Sequence, residues 1–181
     1  SIEVSEYKGG IIKAHIKKLR STFKNGNYCC QYGAGPPKVA KTCNVSLEEG
    51  KMIWETYWKR NWAIKVVANE QEVKTVRGQM FLRNPLNGFW YFLRYKKDIF
   101  STLVQGSAAF CFDTLLAFIL KDREQLTGQF HDEFILTIRK GHRDRSIEWL
   151  KGIIKKVNDT LKLNRELDIG IAFGDNYGEI H

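Results

Sequence analysis

Residues 126 to 138 read LTGQFHDEFILTI, which is two short apolar runs on either side of a polar triplet. Runs of this length that contain Leu, Ile and Phe are typical of β-strands. Because His131, Asp132 and Glu133 alone separate them, we predict a tight antiparallel hairpin of Leu126–Phe130 with Phe134–Ile138. This part of the chain is therefore expected to contain an antiparallel sheet.

A second β-rich region precedes this hairpin. It consists of Val73–Leu82 and Phe89–Tyr95, joined by six residues that end in Asn87-Gly88. Asn-Gly tolerates positive φ and favours a turn, so we predict a second hairpin here.

The remaining segments show helical spacing of apolar residues. A basic helix is expected from Ile11 to about Tyr32, ended by the Gly and Pro residues that follow, and another begins at Ser46 with Glu49 as a capping box. Further predictions are a largely buried helix over Ile99–Lys121, a helix over Ser146–Leu161 and a final strand over Leu167–Phe173. This order predicts an α+β fold, with a helical domain over residues 1–75 and an antiparallel sheet with packed helices over residues 76–181.

The composition excludes several classes of protein. The chain has 181 residues, 43% of them hydrophobic, which is enough for a packed core and argues against disorder. Its 29 Lys and Arg residues outnumber 20 Asp and Glu residues, giving a net charge of +9. Such a charge favours a polyanionic partner, nucleic acid above all.

Membrane insertion and secretion are not expected. The longest apolar stretch, from Ala108 to Leu120, is interrupted by Asp113 and falls short of the ~20 residues that span a bilayer. The four cysteines, at positions 29, 30, 43 and 111, lack the C-x-x-C spacing of zinc sites, and no targeting segment is recognised. A reduced, cytoplasmic protein without structural zinc is the prediction.

One face of the first helix carries two cations and two phenols. Arg20, Lys24, Tyr28 and Tyr32 follow one another at four-residue spacing, which makes a stripe about 18 Å long at ~1.5 Å per residue. The cations suit the phosphates of a nucleoside triphosphate, and the rings suit its sugar and base. A solvated basic helix with tyrosines at its inner edge is the alternative.

The triplet His131-Asp132-Glu133 places charged side chains at the turn of an apolar hairpin. An acid in that position favours a metal ion, although successive strand residues face opposite ways, so only one of the two carboxylates can point at a given metal pair. Ordinary polar turn residues are the other interpretation.

Small residues follow a glutamine on the apolar helix, in the sequence Gln105-Gly106-Ser107-Ala108-Ala109. Glutamine can donate to and accept from a base edge in the minor groove, whereas close helix packing explains the small residues equally well. The aromatic residues Trp54, Tyr57, Trp58 and Trp62 are expected in the core rather than on a base-stacking surface.

Together, these three patterns resemble family A DNA polymerases of the bacteriophage type, which are similar to bacterial DNA polymerase I. Arg20, Lys24, Tyr28 and Tyr32-Gly33 match motif B of the fingers, the residues from Gln105 match the Q-G-[T/S]-A-A element of the palm, and His131-Asp132-Glu133 matches motif C. The terminal His181 also resembles the phage enzymes. The resemblance runs from about Ile11 to the end of the chain.

The resemblance implies fingers over residues 1–75 and the second half of a palm over 76–181. It also implies template-directed addition of dNTPs to a primer 3′ end with two Mg²⁺ ions, on primer-template DNA. Asp132 would be the metal ligand, and Lys24, Glu133 and His131 would join it as catalytic residues. The roles of the others are as follows: Arg20 and Lys24 on the triphosphate, Tyr28 beneath the sugar, Tyr32 near the templating base, Gln105 on the minor groove, and His131 and Glu133 near the primer end.

The chain departs from the family in several places. Ser101 stands where family members often carry Asn, four residues after the basic position that Lys97 holds here, and His15 is out of register with a histidine that usually precedes motif B. Motif A, which would carry the second metal carboxylate, is absent from the 181 residues. We therefore expect the chain to act with an N-terminal polymerase portion, on the same or a separate chain, and to be inert alone.

Two alternatives remain open. A phage-type single-subunit RNA polymerase shares the motif B residues, but its motif C usually reads H-D-S, so Glu133 favours DNA synthesis. A non-catalytic, basic DNA-binding subunit with the same fold is the other. If the chain is phage-encoded, the host cytoplasm is its expected location.

Overall fold

The computed structural model describes residues 2–122 and 126–180. It confirms the α+β class, since helices are combined with two small antiparallel sheets. The elements in chain order are helices α1 (Ile2–Gln31), α2 (Pro36–Cys43), α3 (Leu47–Arg60) and α4 (Trp62–Asn69); strands β1 (Val73–Val76), β2 (Gln79–Arg83) and β3 (Trp90–Leu93); helix α5 (Ile99–Asp122); strands β4 (Leu126–Phe130) and β5 (Glu133–Leu136); and helix α6 (Arg143–Leu161). Short 3₁₀ turns occupy Lys96–Asp98 and Tyr177–Glu179.

The first helix and the prolines behave differently from the prediction. Helix α1 begins at Ile2 rather than near Ile11. Pro36 and Pro37 do more than end α1, because they form the first turn of an unpredicted helix, α2. A first-turn nitrogen has no intrahelical acceptor, and the fixed φ of proline suits that position.

Helices α2 and α3 pack closely at a glycine. A Cβ added to Gly50 would lie 2.4 Å from the Cβ of Ala40, so only glycine permits this approach. The predicted capping box is confirmed, with Ser46 Oγ accepting from the Glu49 N–H at 3.2 Å and Glu49 Oε2 accepting from the Ser46 N–H at 2.9 Å. These caps stabilise the start of α3.

The region predicted as one strand from Val73 to Leu82 is two strands. Arg77 and Gly78 both have positive φ, at 51° and 78°, which is the conformation of a tight two-residue hairpin turn. A three-stranded antiparallel sheet in the order β1-β2-β3 results. Its inner face contributes Leu82 and Leu93 to a core cluster with Ile99.

The connection between β2 and β3 confirms the second predicted hairpin. Gly88 has φ +73°, and its N–H donates to the Asn84 carbonyl at 2.8 Å. Asn84 is fully buried, its N–H donates to the Phe89 carbonyl at 2.9 Å, and its side chain donates to the Leu103 carbonyl at 3.5 Å.

Helix α5 is less buried than predicted. Leu115, Leu116 and Ile119 are buried, but Val104 and Leu120 are exposed. Contrary to the expectation from Asp113, the helical stretch Lys96–Asp122 is long and apolar enough to cross a membrane by length and composition. A single helix of this kind is weak evidence for a membrane span, because core helices of other proteins meet the same criterion.

The C-terminal half is built on the predicted β4–β5 hairpin. Phe130 pairs with Glu133, so the turn consists of His131 and Asp132 and the strand begins one residue earlier than expected. Helix α6 starts at Arg143, three residues before its predicted start. Residues of α5 and α6 form one core: Leu115, Leu116, Ile119, Leu150, Ile153, Ile154 and Val157.

The predicted final strand, Leu167–Phe173, is not a strand in the structure. The side chains of this segment still alternate in direction, because Leu167, Ile169 and Ile171 pack against the α5–α6 core. The period of two was therefore correct, whereas the ladder partner that defines a strand is not found among the described residues.

The chain divides into two compact units. The first comprises Ser1–Asn84 with Gly88–Val104, and the second comprises Pro85–Asn87 with Gln105–His181. The fingers and palm boundaries at residues 75 and 76 stay a prediction.

Candidate functional site

The stripe of cations and phenols lies on the exposed side of α1. Arg20 and Lys24 are exposed, and Tyr28 is 49% exposed. The Lys24 ammonium lies 5.8 Å from the centre of the Tyr28 ring, as expected for neighbours four residues apart. A charged group and an aromatic ring are thus presented side by side to solvent.

Tyr32 follows the stripe at the end of the helix. It lies one residue beyond α1, and its N–H donates to the Tyr28 carbonyl at 2.9 Å, which continues the spacing. Gly33 has φ +74°, and its N–H donates to the Cys30 carbonyl at 2.9 Å. The left-handed glycine ends the helix and turns the chain directly after the 46% exposed Tyr32.

Sequence reasoning missed the role of Lys97 at this turn. The Lys97 ammonium lies 2.7 Å from Asp98 Oδ1 and donates to the Tyr32 carbonyl at 3.4 Å. A Cβ on Gly33 would lie 3.1 Å from the Lys97 Cβ. Lys97 therefore connects the end of the stripe to the start of α5, and a separation of 65 residues leaves no local signal for this contact.

The aromatic residues after the stripe are partly in the core, as predicted. Tyr57 is buried, and Trp54 and Trp58 pack against the same cluster. Trp54 Nε1 donates to the Ala34 carbonyl at 2.9 Å, which anchors the loop after Gly33. Trp62 is a correction, since it is 64% exposed. The break between α3 and α4 at Asn61 takes it off the inner face predicted for one continuous helix.

The triplet His131-Asp132-Glu133 lies at the tip of the β4–β5 hairpin. His131 has φ +47° and, like Asp132, is exposed. Glu133 is half-buried and belongs to β5. The turn thus presents Asp132 to solvent on a two-residue connection, with little backbone length for it to move independently of the strands.

The glutamine element lies on an accessible part of α5. Gln105, Ala108 and Ala109 are exposed, whereas Gly106 is buried. Exposure of both alanines argues against the interpretation that these small residues serve only close helix packing. At the start of α5, the Ser101 hydroxyl donates to the Asp98 carbonyl at 3.0 Å.

Few side chains at the tip of the β4–β5 hairpin could bind a metal ion. Within residues 2–122 and 126–180, no cluster of three or more His, Cys, Asp or Glu side chains that could hold a metal ion is found. Mg²⁺ binds proteins through one or two carboxylates together with substrate phosphates. Asp132 fits one such ligand, and a further carboxylate would complete the site.

Cys29, Cys30 and Cys43 belong to the core cluster next to α1. Cys30 is fully buried, and burial, followed by the neighbouring Cys29 and Cys43, raises the pKa of its thiol to about 11. Burial also raises the pKa of Cys43, whose thiol contacts the Thr22 carbonyl at 3.8 Å. Thiols held neutral in this way behave as apolar core groups rather than as nucleophiles.

Comparison with curated proteins finds DNA polymerase I from two strains of Helicobacter pylori. Strain 26695 gives 30% identity over 141 residues, and strain J99 gives 29% over 141 residues, each covering 68% of this chain. The chain is distantly similar to DNA polymerase I. It spans 16% and 15% of the length of these two polymerases. No protein-family model matches the chain.

This similarity agrees with the resemblance that motifs B and C indicate. The bacteriophage type, the subdomain assignments and the roles of the individual residues remain predictions.

Proposed function

We propose that the chain supplies the fingers and the motif C half of the palm of a template-directed DNA polymerase. Together with a polypeptide that carries a motif A aspartate, it adds dNTPs to a primer 3′ end on primer-template DNA. The observation that carries this proposal is the exposed stripe of Arg20, Lys24, Tyr28 and Tyr32 on a chain distantly similar to DNA polymerase I. Its location is proposed to be the cytoplasm, that of the host cell if the chain is phage-encoded.

The stripe would bind the incoming nucleotide. Arg20 donates to phosphate oxygens through a planar fork of N–H groups, and Lys24 adds a compact charge that offsets negative charge developing during transfer. Tyr28, next to Lys24, would lie beneath the sugar. Tyr32, at the left-handed turn, would lie near the templating base.

The hairpin tip would hold the metal ions and the primer end. Bound Mg²⁺ would activate the primer 3′-hydroxyl and neutralise the triphosphate. Asp132 would be this chain's ligand, and the second carboxylate would come from motif A. His131 and Glu133 flank Asp132 and would position the primer terminus, while Gln105 would contact the minor groove.

Reconstituted primer extension tests the proposal. The chain alone should add no nucleotides, and a polypeptide that carries the thumb and the motif A aspartate should restore extension. In that complex, Asp132→Asn should lower the extension rate by at least about 1000-fold with little change in DNA affinity, because a metal ligand acts mainly on the transition state.

Asp159→Asn is the matched control, since Asp159 is an exposed aspartate on α6 outside the candidate site. Its extension rate should equal that of the unchanged chain. Robust extension by the chain alone would reveal a second metal carboxylate within it. Full activity of Asp132→Asn would reduce His131-Asp132-Glu133 to an ordinary turn.

A non-catalytic DNA-binding subunit is the second candidate, because among the described residues Asp132 has no companion carboxylates that complete a metal cluster. Metal binding separates the two functions. In the reconstituted complex with primer-template and dNTP, paramagnetic Mn²⁺ should broaden the resonances of residues around Asp132 if the chain is catalytic. An unperturbed hairpin would favour the binding subunit.

A further inference from the structure

The outer face of the three-stranded sheet carries aromatic rings. Lys74, Phe81 and Phe92 lie directly opposite one another across β1, β2 and β3, and Arg83 lies opposite Trp90. Alternation places these five side chains on the face away from the core residues Leu82 and Leu93.

Contacts between the side chains confirm that they share this face. The Phe81 and Phe92 rings meet edge to face with centres 6.0 Å apart. The Lys74 ammonium crosses β2 and lies 3.6 Å above the Trp90 ring. Phe92 is nevertheless 58% exposed, and Phe81 and Trp90 are half-buried. We call Lys74, Phe81, Trp90 and Phe92 the aromatic face.

The segment that forms this face has a charge of one sign. Residues 73–97 contain six Lys and Arg residues, six aromatic residues and no Asp or Glu. Arg83 is paired with Glu72, the residue before the segment, at 3.1 Å. The exposed Arg77 at the β1–β2 turn adds positive charge at one end of the face, and the Lys74 ammonium over Trp90 adds it toward the other end. A partner that fits must offer both negative charge and flat apolar surfaces.

We propose that the aromatic face binds single-stranded DNA, with bases stacked on Phe92 and Phe81 and phosphates near Arg77 and near Lys74, which covers the Trp90 ring. Bases and phosphates together supply the two properties that the face requires. A duplex keeps its bases stacked on one another, so exposed rings on a sheet select unpaired strands. The choice of DNA as the ligand rests on the proposed function. A template-directed polymerase encounters single-stranded DNA as the unpaired part of its template.

Fluorescence anisotropy with a labelled 20-nucleotide oligo(dT) tests the proposal, using the full 181-residue chain in EDTA without nucleotides. Phe92→Ala should weaken binding by about 5- to 100-fold, the range expected when one stacked base is lost. Phe92→Trp should retain binding because it keeps a flat ring. Lys74→Gln should reduce the slope of log K against log salt by about 0.7, the contribution of one phosphate in a single strand.

Matched controls come from exposed residues of the same unit. Trp62→Ala removes an equally exposed ring on α4, and Lys59→Gln removes an exposed charge on α3. Neither should change oligo(dT) affinity by more than about twofold. Circular dichroism of each variant verifies that the sheet is retained.

Several results would overturn the proposal. These are equal oligo(dT) affinity of Phe92→Ala and the unchanged chain, an equal loss of affinity in Trp62→Ala, or a loss of blunt-duplex affinity in Phe92→Ala as large as its loss of oligo(dT) affinity. In a fourth result, Phe92→Ala would lose binding to phosphatidylserine-containing vesicles and keep its binding to oligo(dT). That result would identify the aromatic face as a membrane-binding surface.

Failure here is distinguishable from failure of the proposed function. If Asp132→Asn abolishes extension but Phe92→Ala binds oligo(dT) normally, the aromatic face is not a strand-binding site and the polymerase assignment stands. If reconstituted extension is never observed but Phe92→Ala loses oligo(dT) affinity, the face binds DNA and the catalytic assignment is wrong.

Discussion

The side-chain amide of Asn158 makes two hydrogen bonds to the backbone of Leu167. Its Nδ2 donates to the Leu167 carbonyl at 2.9 Å, and its Oδ1 accepts from the Leu167 N–H at 2.8 Å. One side chain on α6 thus replaces the pairing that a neighbouring strand would give at this residue, and it directs Leu167, Ile169 and Ile171 onto the core.

Replacing Asn158 with Ala should lower the free energy of unfolding by ~2–4 kcal/mol, because two half-buried backbone groups lose their partners. Urea denaturation followed by far-UV circular dichroism measures the change. Thr160→Ala is the control, since the exposed Thr160 hydroxyl donates to the Lys156 carbonyl within the same helix. An equal effect of the two substitutions would show that the Asn158 contacts contribute nothing specific.

Gly33→Ala should lower the free energy of unfolding by ~1–2 kcal/mol, since an L-residue at φ +74° is strained and its Cβ would press on Lys97. Gly152→Ala should have the opposite sign and add ~0.5–1 kcal/mol, because Gly152 is helical with open space around its Cα. Chemical denaturation of the two variants checks both signs. An equal change in the free energy of unfolding for the two variants would mean that the backbone at residue 33 accommodates alanine without strain.

Tyr28→Phe should raise discrimination against dideoxynucleotides in the reconstituted complex and leave normal incorporation nearly intact. In the proposed function Tyr28 lies beneath the sugar, where its phenol would replace the missing 3′-hydroxyl and a phenyl ring would not. Competition between ddNTP and dNTP in primer extension measures the ratio. Tyr177→Phe, at a tyrosine of similar exposure in the second unit, should leave the ratio unchanged. Equal discrimination by the Tyr28 variant would remove Tyr28 from the sugar site.

Stability should fall as pH rises from about 9 to about 11. Burial raises the pKa of the Cys30 thiol from 9.0 to about 11, so over this range the thiol ionises in the unfolded chain but not in the folded one. The unfolded state then binds fewer protons, and Cys30 lowers the free energy of unfolding by up to ~1.4 kcal/mol per pH unit.

Cys30→Ala should make the decline of stability with pH shallower, without abolishing it, because burial also raises the pKa of Cys43 and of Tyr57. Denaturant titrations at several pH values provide the slopes. An unchanged slope in the variant would show that Cys30 does not remain neutral in the folded chain.

The parts of the fold that the sequence predicted correctly depend on local patterns. The β4–β5 hairpin has a two-residue turn between apolar runs, and the capping box at Ser46 needs only Glu49 three residues later. Helix α6 follows from its regular apolar spacing. In each case, the residues that decide the structure are near one another in the sequence.

The errors occurred where distant contacts or unusual backbone conformations decide. Arg77 adopts a positive φ that few non-glycine residues accept, so the turn between β1 and β2 was hidden in a β-rich run. Residues 167–173 alternate like a strand, but a ladder needs a partner that alternation cannot supply. The burial of α5 was overestimated because composition alone does not distinguish core from exposed apolar residues.

The candidate site shows the same division. Arg20, Lys24 and Tyr28 were found by spacing along one helix, and the structure presents them together. Lys97 was missed as the partner of the Tyr32 turn, and the aromatic face was missed because it requires the register of three strands. Helical spacing is visible in a sequence, whereas strand register depends on pairing between segments.

The two Asn-Gly pairs of the chain, Asn25-Gly26 and Asn87-Gly88, bear on its chemical ageing. Such pairs lose their side-chain amide when the glycine nitrogen attacks the asparagine side chain and closes a succinimide ring. Gly26 lies inside α1, and the Gly88 N–H is bound to the Asn84 carbonyl at 2.8 Å. Because both glycine nitrogens are held in this way in the folded chain, deamidation during storage should occur mainly in unfolded molecules. Each deamidation would add one negative charge to this basic chain.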